Sequence, residues 1–243
     1  IKKKFSRKDV MSGMALREIS ALDQLDHANI NKLVAYDIDM ANQVGAAFLE
    51  LCDLGNLADL IKRHRKAKRP IPEGFVWHVF IALVDALRYM QKGPFGMTDV
   101  ALWNEIYHRD ISPENVFLAT ASSEDAYPRV VLGDFGCSAS RIDVECRLTS
   151  GRRVERQNPE FEPPEAPFYN SQSDIYTVAL MVVCMCRLKP DRWPIPERVD
   201  EQWVLGQGYS AELNALVRRC LQGRLASRIG IQDLWNMTNA SRL

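Results

Sequence analysis

A surplus of charge of either sign is missing from this 243-residue sequence, in which 31 Lys and Arg balance 31 Asp and Glu. A neutral balance creates no global field to gather nucleic acid or an anionic membrane surface, so neither is expected as a partner. Cysteine is sparse: the six at positions 52, 137, 146, 184, 186 and 220 form no CxxC pair, and no His stands at zinc-ligand spacing from a pair. A zinc ribbon and a dense disulfide framework are therefore excluded, and a reducing intracellular setting, cytoplasm or nucleus, is expected. No long hydrophobic run is present either; the longest, Ile175 to Cys186, is too short for a bilayer and reads as a buried helix. No repeat of solenoid length occurs. The opening Ile1-Lys2-Lys3-Lys4 is not a secretory signal, and the lack of an initial Met reads as an excised domain or a partial gene product.

What is present is an ordinary globular composition, 47% hydrophobic and 26% charged, enough for one large domain or two lobes. The segment through Lys8 reads as a strand tail and a basic turn. Met11, Met14, Leu22 and Leu25, with Ile19 alongside, form a helical stripe. Strands are expected over Leu33–Ile38 and Ala46–Leu51, then a helix from Leu57 into the basic run Lys62–Arg69. That run reads as a solvated helix end in preference to a nuclear-import signal or an anion patch. A buried helix follows from Phe75 to about Gln91, then short strands at Val116–Leu118 and Val130–Leu132, split by a polar loop at Ser122–Asp125. A long polar segment runs from Gly136 to Pro164. Helices are expected at Asp174–Arg187, Ala211–Leu221 and Ile231–Met237. The order is α+β with two lobes.

Three signatures occur in a fixed order. Tyr107-His108-Arg109-Asp110 leads to Asn115; Asp134-Phe135-Gly136 begins nineteen residues after Asn115; Pro163-Pro164-Glu165 ends thirty-one residues after Asp134. Asp-Phe-Gly alone is weak, but the ordered set on loops that end short strands is specific. Phosphoryl transfer asks the protein for little covalent chemistry, only for an oriented hydroxyl and for cations on the β,γ-oxygens. Asp110 suits the first need. Asn115 and Asp134 offer oxygens to Mg²⁺, which keeps waters and borrows phosphate oxygens.

The chain resembles a eukaryotic protein kinase catalytic domain over nearly all its length, most closely the NIMA-related serine/threonine kinases. The resemblance rests on the signatures above and on Arg17-Glu18-Ile19, Leu25-Asp26-His27-Ala28-Asn29-Ile30, Phe48–Leu57 and Ser173-Asp174-Ile175-Tyr176. It implies a bilobal α+β kinase-like fold. An incomplete small β-rich lobe over 1–52 would carry a strand remnant, helix C, two more strands and the hinge. A large helical lobe over 53–243 would carry the catalytic loop and the activation segment. It implies ATP and Mg²⁺ as cofactors and a protein substrate phosphorylated on Ser or Thr. Glu18 would pair with the ATP-anchoring lysine; Glu50 and Cys52 would offer hinge backbone to adenine; Phe117 would floor the pocket. Leu22, His108 and Phe135 would stack as a spine, with Gly136 completing the metal-loop motif. Asp174 would anchor the His108–Arg109 backbone, and Glu165 would pair with Arg228. Arg109 would answer a charged activation loop, with Thr149 or Ser150 as phosphorylation sites, or Glu155 as a fixed charge.

Departures are equally specific. The glycine-rich loop is absent, and Gly206-Gln207-Gly208 lies in the wrong place to serve as one. Lys2 stands sixteen residues before Glu18, short for that pair, so the anchoring lysine is Lys2 or, by preference, one preceding the chain. Ser112 stands where serine/threonine kinases carry Lys, and Asn158 where they carry Thr. Losing both suggests a remodelled site, with a pseudokinase scaffold as the alternative. A small-molecule phosphotransferase is the third reading, opposed by Arg109 and the Glu165–Arg228 pair. Cys137 is read as an inert buried thiol, with electrophile reactivity as the sharper alternative.

Overall fold

The computed structural model describes residues 1–97, 102–121, 127–152, 154, 156–191 and 203–240. The loop at Ser122–Asp125 and Glu155 lie outside them. Three antiparallel strands, β1 (Lys2–Phe5), β2 (Leu33–Asp39) and β3 (Val44–Leu49), form a sheet in the order β1-β3-β2. The expected basic turn is instead a helix, α1 (Arg7–Met11), because Ser6 caps it: its hydroxyl accepts from Asp9 N–H while the Asp9 carboxylate takes the Ser6 N–H. After Gly13, α2 (Met14–Gln24) turns Ala15, Glu18, Ile19 and Leu22 inward.

The remaining chain is mainly helical. α3 (Leu57–Ala67) is capped by Asn56, whose side chain accepts from Asp59 N–H. α4 (Glu73–Lys92) is apolar on most faces, as its sequence demands, and packs against α6 (Ser171–Arg187) and α8 (Ile231–Ala240). It stops at Gly93, where φ is 77 and an added Cβ would lie 2.9 Å from Trp103. α6 is buried continuously from Ser173 to Cys186, which explains its uninterrupted apolar run. α7 (Ala211–Cys220) covers one side of it. Between α4 and α6 the described residues include the short strands β4 (Ile106–Tyr107), β5 (Val116–Ala119), β6 (Arg129–Leu132) and β7 (Ala139–Ser140) and a short α-helix, α5 (Arg141–Glu145). β7 and α5 fall inside the long polar segment, too brief to leave a periodic trace. Among the described residues, no helix is long and apolar enough to cross a membrane.

Candidate active site

Two strand registers bring the signatures together. β5 and β6 run antiparallel with Val116 opposite Leu132, so the loop ending at Asn115 and the loop starting at Gly133 leave the hairpin at one end. β4 and β7 do the same from the other side, Tyr107 facing Ala139. Arg109 and Asp134, both in these loops, hold left-handed backbone at φ 67 and 56. For non-glycine residues this costs about 1–3 kcal/mol and persists only where the surroundings enforce it.

The site's cation is Lys3, which corrects the expectation of Lys2 or an earlier residue. Lys3 Nζ donates to Glu18 Oε1 at 2.6 Å and to Asp134 Oδ1 at 2.7 Å. The cause is strand parity. Side chains alternate along β1, so Lys3 shares the inward side with buried Phe5, while Lys2 turns outward over the Phe48 ring. Fifteen residues separate Lys3 from Glu18. Burial works against the Lys3 ammonium, but Glu18 and Asp134 outweigh it and hold its pKa above the ordinary lysine value. Burial raises the Glu18 pKa despite the lysine, whereas Asp134, also desolvated, is drawn below the usual carboxylate range by Lys3.

Asp110 lies close enough to Asp134 for the two carboxylates to act on each other's charge. Its Oδ1 accepts from the Asn158 backbone N–H at 2.9 Å and its Oδ2 from Asn115 Nδ2 at 3.2 Å. Burial pushes its pKa up to about 6, with the Asn158 N–H pulling the other way. The Asn115 amide nitrogen also donates to Asp110 O at 2.8 Å, which leaves the Asn115 side-chain oxygen as the atom that could take a metal. Beside Lys3 and Asp134 opens a cleft of about 330 Å³, lined by both of them, by Ile1 and Lys2 of the same strand region and by residues 49–52. Phe117 lines it too, its ring so close to Gly133 that a Cβ there would lie 2.8 Å away. The Glu50 side chain turns out to Arg129, 2.7 Å away.

Other expected residues form the frame. Asp174 is fully buried and accepts the N–H groups of His108 and Arg109 at 2.7 and 2.9 Å; burial nonetheless raises its pKa to about 7. His108 stacks edge-on against Phe135 with ring centroids 4.7 Å apart, and its Nε2 meets Gly133 O at 3.0 Å. Burial drives its pKa down to about 4, so the imidazole is neutral. Leu22 and Phe135 belong to one core cluster. Gly136 N–H donates to Asp134 Oδ1 at 3.3 Å. Arg228 clasps Glu165 through two bonds of 2.7 and 2.9 Å, and Ser173 adds a third at 2.7 Å.

Arg109 is 4% exposed and pairs with carbonyls. Its guanidinium reaches Cys137 O at 2.6 Å, Ser138 O at 3.3 Å, Ser150 O at 2.9 Å and Arg152 O at 3.3 Å. Ser150 is exposed and Thr149 half-buried. Cys137 is buried, and its thiol is pushed up to about 12 by burial, which fits the inert reading.

Residues 1–238 match the family described as protein kinase domain. The chain belongs to that family. Curated relatives of this kinase domain include the human serine/threonine-protein kinase Nek2, 27% identical over 232 residues, covering 91% of this chain and 48% of Nek2. The G2-specific protein kinase fin1 of Schizosaccharomyces pombe is 28% identical, covering 84% of the chain and 30% of fin1. The G2-specific protein kinase nimA of Emericella nidulans is 27% identical, covering 84% and 32%. The chain thus spans about half or less of the length of these relatives, and the NIMA-related likeness read from the sequence is the one they carry.

Protein kinases generally use ATP and Mg²⁺, and the kinase domain's own residues fit both. Lys3 supplies a cation and Asp134 an oxygen donor to the cleft, which is otherwise largely apolar, and Asn115, bonded through its backbone carbonyl to Gly133 N–H, offers a second oxygen beside Asp134. Where residues 49–52 line the cleft, neither the N–H nor the C=O of Cys52 is taken by another described residue. Two protein oxygens make an incomplete shell for Mg²⁺, which a polyphosphate and water complete.

Proposed function

We propose that this kinase domain transfers the γ-phosphoryl group of ATP to Ser or Thr hydroxyls of a protein substrate. The observation that carries the reading is the set Lys3–Glu18 and Lys3–Asp134 at the cleft, with the Asp110–Asn115 pair tied to the Asp134 loop through the Gly133 N–H on Asn115 O at 2.9 Å. Mg-ATP, when bound, supplies the transferable group and the metal that neutralises its charge. Lys3 holds the phosphates and is kept extended by Glu18. Asp134 and Asn115 hold the metal. Asp110 orients the acceptor hydroxyl and receives its proton. The backbone at Glu50 and Cys52 receives the base over Phe117. His108, Phe135 and Gly136 keep the metal loop in place, Asp174 fixes the catalytic loop, and Glu165–Arg228 seats the end of the activation segment. The division at about residue 52 and an intracellular setting belong to the same reading. Thr149 and Ser150 are the proposed phosphate acceptors of the segment; a phosphate there competes for Arg109 with the carbonyls already bound to it.

The test uses the full-length protein. Asp110→Asn keeps the side-chain shape, gives up one of its two hydrogen-bond acceptors and removes the proton acceptor, so phosphate transfer to a generic Ser/Thr peptide should fall by about 10²-fold or more while Mg-ATP binding persists. Transfer unchanged by the substitution refutes the assignment. Ser112 and Asn158 favour a second reading, a nucleotide-binding scaffold. Calorimetric Mg-ATP binding by a wild-type protein without turnover is its signature.

A further inference from the structure

Asp110 lacks both side-chain partners of the serine/threonine pattern, because Ser112 and Asn158 replace the expected Lys and Thr. Its carboxylate is held all the same, Oδ2 by the Asn115 side-chain amide and Oδ1 by backbone. Asn158 N–H donates to Oδ1 at 2.9 Å, whereas the Asn158 side chain turns away and accepts from Glu160 N–H at 3.0 Å. A backbone donor is only as well placed as the chain that carries it. The neighbouring residue fixes that chain. Gln157 is 2% exposed, its Nε2 donates to Arg109 O at 2.5 Å, and its Oε1 accepts from Val154 N–H at 2.5 Å.

The two bonds from the substrate-binding loop therefore land on consecutive residues of the catalytic loop: Gln157 on Arg109, Asn158 on Asp110. A side-chain amide bonded at both ends in a dry setting has one orientation, since leaving either end unpaired carries the full desolvation penalty. Arg109 itself is held from two more directions. Its N–H goes to Asp174 and its guanidinium to the carbonyls of the activation segment. Gln157 is thus tied to a fixed point one residue from the reacting carboxylate.

We propose that Gln157 is a positioning residue: by bracing the Asn158 N–H against the catalytic loop it sets the Asp110 carboxylate, replacing the missing Lys and Thr side chains. The inference rests on the kinase reading above and accounts for how that reading survives the two substitutions. Gln157 makes no hydrogen bond to the Asp110 carboxylate and does not line the cleft, so it acts on orientation alone.

The experiment is Gln157→Met in the full-length protein, a change that keeps length and volume and removes both bonds. Expected is a fall in kcat of about 10²-fold, from misplacement of the reacting group, with KM for ATP and Mg-ATP affinity within twofold of wild type. In ¹H–¹⁵N spectra of wild type, the Asn158 amide proton should be shifted downfield by its carboxylate acceptor and exchange slowly; both features should be lost in the variant. An unchanged kcat, a parallel loss in kcat and ATP affinity, or an unmoved Asn158 resonance overturns the proposal. If Gln157→Met does not fold, Gln157→Glu retains the acceptor for Val154 and removes the donor to Arg109, and the same kcat-against-KM split is required of it. An Asn158 amide in wild type that is neither downfield nor protected overturns the brace without any variant. Wild type with no transfer at all removes the kinase reading but leaves the Asn158 resonance as the measure of the brace.

Discussion

Lys3 concentrates three demands in one ammonium: it neutralises buried Glu18, it faces Asp134, and it reaches the cleft. Lys3→Met should therefore cut phosphate transfer by about 10²–10³-fold, the cost of deleting one preorganised charge partner. Lys2→Met should leave transfer near wild type, because the Lys2 ammonium sits over the Phe48 ring and only that of Lys3 reaches Glu18 and Asp134, although Lys2 also borders the cleft. Steady-state rates of the two variants, measured together, decide between the lysines; equal losses would contradict the parity argument. The sequence left this choice open for a physical reason. Three consecutive lysines carry no hydropathy contrast, so nothing in Lys2-Lys3-Lys4 itself tells inside from outside. The one usable mark was Phe5, whose apolar ring shares parity with Lys3. The motif residues were legible because their chemistry is spelled out contiguously, Asp110 with Asn115 and Asp134 with Phe135 and Gly136. Gln157 was not, since its partners are backbone atoms of Arg109 and Val154, and any residue type could have supplied those atoms.

Among the elements, long periodic ones followed their pattern and short ones did not. The apolar spacing of α4 and the unbroken apolar run of α6 located both helices within a few residues. α1, β7 and α5 are too brief for a period, and two of them depend on capping by Ser6 and Ser140. The end of α4 is a stricter constraint than its middle. Gly93 has φ 77, and a Cβ there would meet Met97 and Trp103 at 2.9 Å. Gly93→Ala should lower stability by about 1–3 kcal/mol through backbone strain alone, with the clash adding to it. Urea denaturation reads this as a lower midpoint at unchanged slope. A variant within 0.5 kcal/mol of wild type, roughly the range of neutral surface changes, would show that the turn can relax.

At the scale of the whole molecule, the helical part closes on itself through Glu165 and Arg228, sixty-three residues apart, with the arginine side chain fully enclosed and stacked on Tyr176. Removing one member of such a pair leaves a desolvated charge. Arg228→Met is accordingly expected to cost about 3–5 kcal/mol, and a melting scan should show the midpoint falling by several degrees. Glu165→Gln together with Arg228→Met should recover part of that loss, because no unpaired charge then stays inside; a double variant no better than the single one would contradict the account. The β5–β6 hairpin has a consequence for handling the protein. Both loops that bear Asp110 and Asp134 emerge beside Val116 and Leu132, whereas Ala119 and Arg129 pair at the opposite end of the hairpin. A fluorophore attached beyond the Ala119–Arg129 pair starts from the end of the hairpin remote from Asp110 and Asp134, so it offers a label that leaves both carboxylates undisturbed.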